Sequence, residues 1–513
     1  MPAIKVLPAE APAASVRDCL FRLSAAFKLG DLFVPAVPPE ALGDRSFVRD
    51  YRIRYAYVTG AMANGIASEA LVEAVARAGM LGFFGAAGLS PERVEAAIDR
   101  LQKNLGDLPY GFNLIHSPNE QDLEGAVADL YIRKGVRLVE ASAYLGLTDY
   151  IVRYRLHGIH RGPDGDIVTP NRVIAKASRV EVVRKFFSPA PDKMLAELVA
   201  EGRITKEQAE LAREIPIAQD VTAEADSGGH TDNRPLVTML PSFMALRDEL
   251  QAQYNFKTPL RVGAAGGIST PAAAAAAFAM GAAYVLTGSV NQACVESGSC
   301  DAVRLMLSQA EQADTAMSPA ADMFEMGVKV QVLKRGTMFA MRATKLYETY
   351  KEYPSLEAIP GPVRASLEKD LFKAPLETIW AQTREFFLKR DPREAAKGDA
   401  DLKHRMALVF RWYLGLASRW ANAGEPTRRM DYQVWCGPAM GAFNEWARGT
   451  FLAAPAERKA ALVGLNILHG AAYLSRMNIL RLQGAALAPE LSRFSPRTAD
   501  ELQESLGPER LLA

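Results

Sequence analysis

The chain has 513 residues, of which 49% are hydrophobic and 23% charged, and 60 Lys+Arg against 59 Asp+Glu leave a net charge of +1. At roughly 100–200 residues per domain this length allows about three domains. The composition is that of folded protein, and the balanced charge argues against a nucleic-acid binder. Four cysteines (Cys19, Cys294, Cys300, Cys436), none in a Cys-x-x-Cys pair, exclude a disulfide scaffold and disfavour a zinc ribbon, and they suit a reducing, cytoplasmic compartment.

The opening MPAIKVLPAEAPAASV has no apolar run of signal-peptide length and contains Glu10. A short helical stretch near Val16–Lys28 is closed by Pro35, Pro38 and Pro39. A rhythm of strand-length apolar runs and helix-length amphipathic segments then begins, the signature of βα units. The runs are Tyr55–Ala61, Leu81–Ala86, Tyr110–Ile115, Arg137–Ala141, Arg172–Ala177, Asp220–Ala225, Leu260–Ala265 and Ala283–Thr287. Helices are expected over Ser68–Ala78, Ser90–Asn104 and Pro118–Lys134, the second with a Ser N-cap and Pro at its first position. Val262–Val295 carries no charge, but its Ala/Gly content and Pro271 predict two buried strands around a packed helix rather than a membrane span. Eight such units predict an α/β fold, a (β/α)8 barrel. The rival open sheet lacks a G-x-G-x-x-G string, since Gly60–Gly65 reads GAMANG, and there is no Walker A string.

Gly158–Asn171, with RGPDGD, reads as a surface loop, and Pro189–Ile215 as an inserted helical hairpin. After about residue 350 only helix patterns remain. The expected division is an extension over 1–50, the barrel with an insertion near 189–215 over 51–350, and a helical substrate-covering domain over 351–513.

In a barrel, chemistry belongs to the loops after the strands, often with a phosphate at strands seven and eight. Strand seven runs through Ala265 into Gly266-Gly267 and a helix at Pro271, and strand eight into Gly288-Ser289. Their backbone N–H groups can face an anion; the plain alternative is two tight turns. Strand six leads to Gly228-Gly229-His230, and an imidazole on that loop suits proton transfer. Asn113 ends strand three. Lys176, inside the apolar fifth strand, must meet an anionic or electron-rich partner: a Schiff-base lysine and a cation beside a flavin's pyrimidine edge both suit it. Met62 suits ring packing or core filling alike. His157 and His160 share an i, i+3 spacing but no third ligand is evident, so no metal site is expected.

GAMANG, GFN at 111–113, ADSGGH, GAAGGIST and LTGS, in this order, resemble the flavin barrels that include nitronate monooxygenase and the FMN-dependent enoyl-[acyl-carrier-protein] reductase of bacteria. ADSGGHTDNRP, Met326–Tyr350, YQVWCGPAMGAFNEW and LHGAAYLSRMNILRLQG resemble the PfaD-type trans-acting enoyl reductases of polyunsaturated fatty acid and polyketide synthases. The resemblance implies FMN, with its phosphate on Ala265–Gly267, Gly288 and Ser289. Its ring would meet the Gly60, Ala61 and Met62 backbone, Asn113, Lys176, Gly228 and Gly229, with His230 beside it in proton transfer or substrate placement. The more usual Glu-Ala-Gly-Gly-His of those barrels is Asp226-Ser227-Gly228-Gly229-His230 here. The implied reaction passes hydride from NADPH or NADH through FMN to the β-carbon of an enoyl thioester on an acyl carrier protein, and a proton to the α-carbon.

The resemblance also implies a carrier-protein partner and a homodimer, and no membrane partner is expected. Lys329, Lys334, Arg335, Arg342 and Lys345 form a basic cluster that suits docking of an acidic carrier or its phosphopantetheine phosphate and an ordinary solvated helix face alike. A nitronate monooxygenase-like oxidase, a non-catalytic barrel component of a synthase and a lysine-dependent aldolase are the competing readings.

Overall fold

The structure, a computed structural model, describes residues 4–116 and 121–506. The chain forms two compact units. One comprises Met1–Asp226, Asp232–Gly298 and Ala442–Ala513, the other Ser227–Thr231 and Ser299–Gly441. This differs from the expected boundaries at 50 and 350. The helices that follow residue 350 are shared between the units, and the glycine-histidine loop after the sixth strand belongs to the second.

The eight expected strands are all present in the first unit: β1 (Tyr57–Thr59), β2 (Leu81–Phe84), β3 (Gly111–Ile115), β4 (Leu138–Ser142), β5 (Arg172–Ala177), β6 (Asp220–Glu224), β7 (Arg261–Ala265) and β8 (Val285–Thr287). They close a parallel barrel in chain order, β8 pairing β1 through Val285↔Tyr57 and β4 pairing β5 through Glu140↔Ile174. Their near-continuous burial follows from helices outside and side chains within. Ser68, Ser90 and Thr270 cap the helices Glu69–Arg77, Pro91–Leu105 and Pro271–Ala279 with their side chains, the latter two with Pro at the first turn. The third helix is described over Gln121–Lys134; its expected start at Pro118 lies outside the described residues.

The uncharged Val262–Val295 stretch is β7, the alanine helix and β8, as its composition predicts. The alanine helix packs on the long helix Ala460–Leu482, where a Cβ at Gly470 would stand 2.5 Å from the Pro271 ring. Among the described residues no helix is long and apolar enough to cross a membrane.

The N-terminal end of the barrel is plugged by the helix Arg45–Tyr51, most of which falls within the expected extension. Phe47 stacks on Tyr284 at 4.2 Å. Arg261, 2% exposed, grips Asp220 with two bonds of 2.6 and 3.0 Å and donates to Asp50 (2.8 Å) and Ser46 (2.9 Å). Tyr51 donates to Asp220 at 2.7 Å.

Two further differences concern short elements. Gly158–Asn171 holds an antiparallel pair, His160–Arg161 with Ile167–Val168, so RGPDGD is a hairpin turn rather than a plain loop. Lys5–Leu7, Phe27–Leu29 and Leu32–Val34 form a small sheet whose strands are too short to carry a periodic signal, and the helix between its first two strands spans Ala13–Phe21. The insertion is helical over Asp192–Ala200 and Lys206–Ala212, the second opened by a Thr205–Gln208 capping box.

The second unit is mainly helical, with Phe339–Glu352, Leu376–Arg390 and Leu402–Ala423 its longest helices. Phe410, Tyr413, Leu414 and Ala417 form one buried face at i, i+3, i+4, i+7 against Phe324, Phe339 and Phe372. Gly229–His230, Lys329–Leu333 and Thr315–Pro319 form its small sheet.

Candidate active site

The C-terminal ends of the barrel strands carry most of the expected residues. β7 turns at Gly266 and Gly267, with φ of 81° and 76°, in the left-handed region that glycine tolerates. A Cβ at Gly266 would stand 2.5 Å from the Ala225 carbonyl carbon, so this turn lies flush against the end of β6. The pairing Ala265↔Leu286 sets the neighbouring turn, Gly288-Ser289, beside it. Among the described residues the N–H groups of Gly266, Gly267 and Gly288 have no hydrogen-bond acceptor. A Cβ at Gly267 or Gly288 would meet no described atom within 4 Å, so neither turn is crowded on that side.

Lys176, Asn113 and Ala61 are brought together by a residue that no motif singles out, Glu140 on β4. Its Oε2 accepts from the Ala61 N–H at 3.0 Å and lies 3.4 Å from Lys176 Nζ. Glu224 Oε1, at the end of β6, is 3.5 Å from the same ammonium. Asn113 Nδ2 donates to the Glu140 carbonyl (3.1 Å) and to Ser142 Oγ (2.8 Å). Burial works against the charge of Lys176, but the two carboxylates outweigh it and hold its pKa above the usual lysine value. Burial also raises the Glu140 pKa, with Lys176 opposing. The anionic partners of Lys176 are thus carboxylates of the protein itself. Glu140 Oε1 and Thr59 Oγ1, both fully buried, have no hydrogen-bond partner among the described residues.

Gly60 donates to the Thr287 carbonyl at 3.0 Å, joining β1 to β8, and Met62 follows half-exposed. Met62 also closes on β2: a Cβ at Gly85 would stand 1.7 Å from its carbonyl oxygen.

Gly228, Gly229 and His230 lie in the second unit, where Gly229 and His230 pair with Gln331 and Val330. The close approach that Gly228 permits is to the Cys436 backbone, which a Cβ would reach at 2.8 Å; Gly437 is equally tight against the Gly228 nitrogen, at 2.9 Å. The ADSGGH and VWCG strings are therefore two sides of one glycine contact. Gln331 Nε2 pins it by donating to the Ser227 carbonyl at 2.8 Å. Burial pushes the Cys436 thiol up to about 12, so it is no nucleophile at neutral pH. His230 Nε2 lies 3.1 Å from Asp322 Oδ1. Partial burial works to raise the Asp322 pKa, but the bond and charge of His230 hold it below the usual carboxylate value. Sequence reasoning misses Asp322 because it follows its partner by a long stretch of chain and belongs to no motif.

The basic cluster separates. Arg342 is bound to the buried Asp431, which also accepts from Tyr413 at 2.6 Å, so it is a structural ion pair. Arg335 is paired with Asp314, and Lys345 donates to Ser366 at 2.9 Å. Lys329, Lys334 and Arg335 remain exposed.

The residues fit a cofactor with an anionic tail and a polar ring: open, unpaired amides at one pair of strand ends, and a lysine with orphaned buried oxygens at others. The comparisons agree with this chemistry. Residues 46–373 match the family described as nitronate monooxygenase, and residues 353–432 match the inserted helical domain of [acyl-carrier-protein] S-malonyltransferase. A component protein of the polyunsaturated fatty acid synthase of Thraustochytrium sp. is 50% identical over 86% of this chain and 30% of its own length. The polyketide biosynthesis protein PksE of Bacillus subtilis is 45% identical over 85% of this chain and 57% of its own. The chain thus spans about a third of the first and just over half of the second. The enoyl reductase domain of MlnA, from the macrolactin cluster of Bacillus amyloliquefaciens, has a TM-score of 0.81 and 39% identity over 87% of this chain and 99% of that one. These relatives bear out the resemblance carried by the C-terminal strings. The chain belongs to the nitronate monooxygenase family of oxidoreductases, in the group that includes the macrolactin enoyl reductase domain and the matching regions of polyunsaturated fatty acid and polyketide synthase proteins.

Proposed function

We propose that the chain is an FMN- and NAD(P)H-dependent enoyl reductase acting on carrier-bound enoyl thioesters for a polyunsaturated fatty acid or polyketide synthase. The observation that supports the flavin reading is the set of backbone amides at Gly266, Gly267 and Gly288 that have no acceptor among the described residues, at the ends of β7 and β8. Similarity to the MlnA enoyl reductase domain over nearly all of that domain supports reduction of an enoyl group over nitronate oxidation.

Bound FMN would supply hydride acceptance from the nicotinamide and hydride donation to the β-carbon. Ala265–Gly267, Gly288 and Ser289 hold its phosphate with backbone amides. The Gly60–Met62 backbone, Asn113 and Lys176 hold its ring, with Lys176 kept cationic by Glu140 and Glu224. His230 is the candidate donor of the α-carbon proton. The Asp322 carboxylate faces Nε2 and accepts a hydrogen bond from the proton there, which orients the ring; the proton for the α-carbon would be a second one, on Nδ1 of the imidazolium. Polarisation of the thioester carbonyl lowers the barrier because charge develops on its oxygen. Gly229, with φ of 83° and no atom within 4 Å of a Cβ, leaves open backbone next to His230. The likeness of residues 353–432 to the malonyltransferase insert supports a carrier-protein partner, with Lys329 and Lys334 as exposed cations suited to an acidic surface.

The test is anaerobic reduction of FMN-loaded protein by NADPH or NADH, then mixing with a crotonyl-carrier thioester or with air and a nitroalkane. Rapid reoxidation by the thioester is expected. Reoxidation by air alone, with no thioester effect, would turn the assignment to an oxidase.

A further inference from the structure

Glu140, like Asp220 on β6, has no exposed surface. Its Oε2 is engaged twice, by the Ala61 N–H and by Lys176, while Oε1 has no partner among the described residues. Since Glu224 approaches the same ammonium, two carboxylates share one cation, and that cation satisfies neither at normal hydrogen-bond length. A buried carboxylate oxygen left without a donor is destabilising, more so than a neutral polar group left in the same state. Native folds keep such a feature where a ligand or ordered water completes it.

The surroundings favour a ligand. Thr59 Oγ1 is a second buried polar atom without a partner, on the strand that leads to Ala61. The groups Glu140 fixes, the Ala61 amide and the Lys176 ammonium, are those assigned above to the cofactor ring. The same carboxylate reaches from β4 to β5 and to the turn after β1, so it sets the positions of groups from three strands at once.

We propose that Glu140 is the positioning residue of the ring site: Oε2 fixes the Ala61 amide and the Lys176 ammonium, and Oε1 accepts a hydrogen bond from the N3–H of bound FMN. This rests on the flavin reading. It goes further in naming the group that reads the ring's one imide N–H, which neither the motifs nor the comparisons point to.

The experiment is titration of apoprotein with FMN labelled with 15N at N3, following fluorescence quenching for affinity and the N3–H proton resonance for the bond. Glu140→Gln is expected to weaken FMN binding about ten- to a hundredfold, the range of one charge-assisted hydrogen bond. It should also move the N3–H resonance upfield. A purely structural counter-ion to Lys176 would change affinity alone and leave that resonance in place. Should Glu140→Gln fail to fold, the charge-balanced double variant Glu140→Gln with Lys176→Met is measured in the same way. Wild-type affinity and an unmoved resonance in the variant overturn the assignment of Glu140 and leave the flavin reading standing. A wild-type chain that takes up no FMN overturns both.

Discussion

The two ends of the barrel bury a cation each, and they treat it in opposite ways. At the N-terminal end Arg261 is saturated by Asp220, Asp50 and Ser46, and no side-chain atom of that cluster is left unpaired among the described residues. At the C-terminal end Lys176 sits 3.4 and 3.5 Å from its carboxylates, and among the described residues Glu140 Oε1 and Thr59 Oγ1 lack partners and the amides of Gly266, Gly267 and Gly288 lack acceptors. Barrels commonly place stabilising contacts at the N-terminal end and chemistry at the C-terminal end, and these two clusters follow that division. An unsatisfied end lowers stability on its own and gains it back when a ligand supplies the missing partners.

The largest effect is expected at the closed end. Arg261→Met strands a buried Asp220 and should lower unfolding free energy by about 3–5 kcal/mol, read from denaturant titration. The FMN affinity of the folded fraction should not change. A loss under about 1 kcal/mol would mean that the plug is not what closes the barrel.

One part of the pH dependence of stability arises outside both ends. His469, on the helix that packs against the alanine helix, is buried with Nδ1 2.8 Å from the Leu465 carbonyl, and burial lowers its pKa to about 4. The unfolded chain takes up this proton first, near pH 6.5. The contribution is therefore whole above that value and is lost as pH falls toward 4, by about 3 kcal/mol. His469→Leu should flatten that acid limb; an unchanged limb would show that the imidazole is protonated in the fold.

Smaller effects on stability, with larger ones on function, are expected at the open end. Gly288→Ala adds a Cβ that meets no protein atom, so stability should change by less than about 1 kcal/mol. FMN affinity should nonetheless fall about tenfold by isothermal titration. In the second unit His230 is 41% exposed, and His230→Gln should leave the melting temperature within error. It should cut kcat for enoyl thioester reduction about a hundredfold or more. Asp322→Asn should give a smaller loss with a shifted pH profile. If His230→Gln retains full turnover, the proton comes from elsewhere.

The contrast between the ends also marks how far the sequence can be read. Strand order, the Ser and Pro caps and the alanine helix are legible because they rest on local periodicity and local hydrogen bonds. The glycines at 266, 267 and 288 are legible because barrel connectivity fixes where strands seven and eight end. Glu140 is not: it is one acidic residue in the four-letter run VEAS, and its partners come from strands far away in sequence. Lys176 stands out for the same conflict of charge and burial, yet its counter-ions cannot be named without the barrel's closure. The helix Arg45–Tyr51 reads as an extension because nothing in its own sequence says that Phe47 stacks on Tyr284. The second unit's glycine contact joins two strings that each read as a motif, while their adjacency depends on tertiary packing.

The most direct test of the central claim is FMN binding measured side by side for the wild-type chain, Gly288→Ala and Arg261→Met. The account predicts stoichiometric uptake by the wild type, about tenfold weaker uptake by Gly288→Ala at unchanged stability, and wild-type affinity in whatever fraction of Arg261→Met is folded. Equal affinity for the wild type and Gly288→Ala, or no uptake by either, would contradict it.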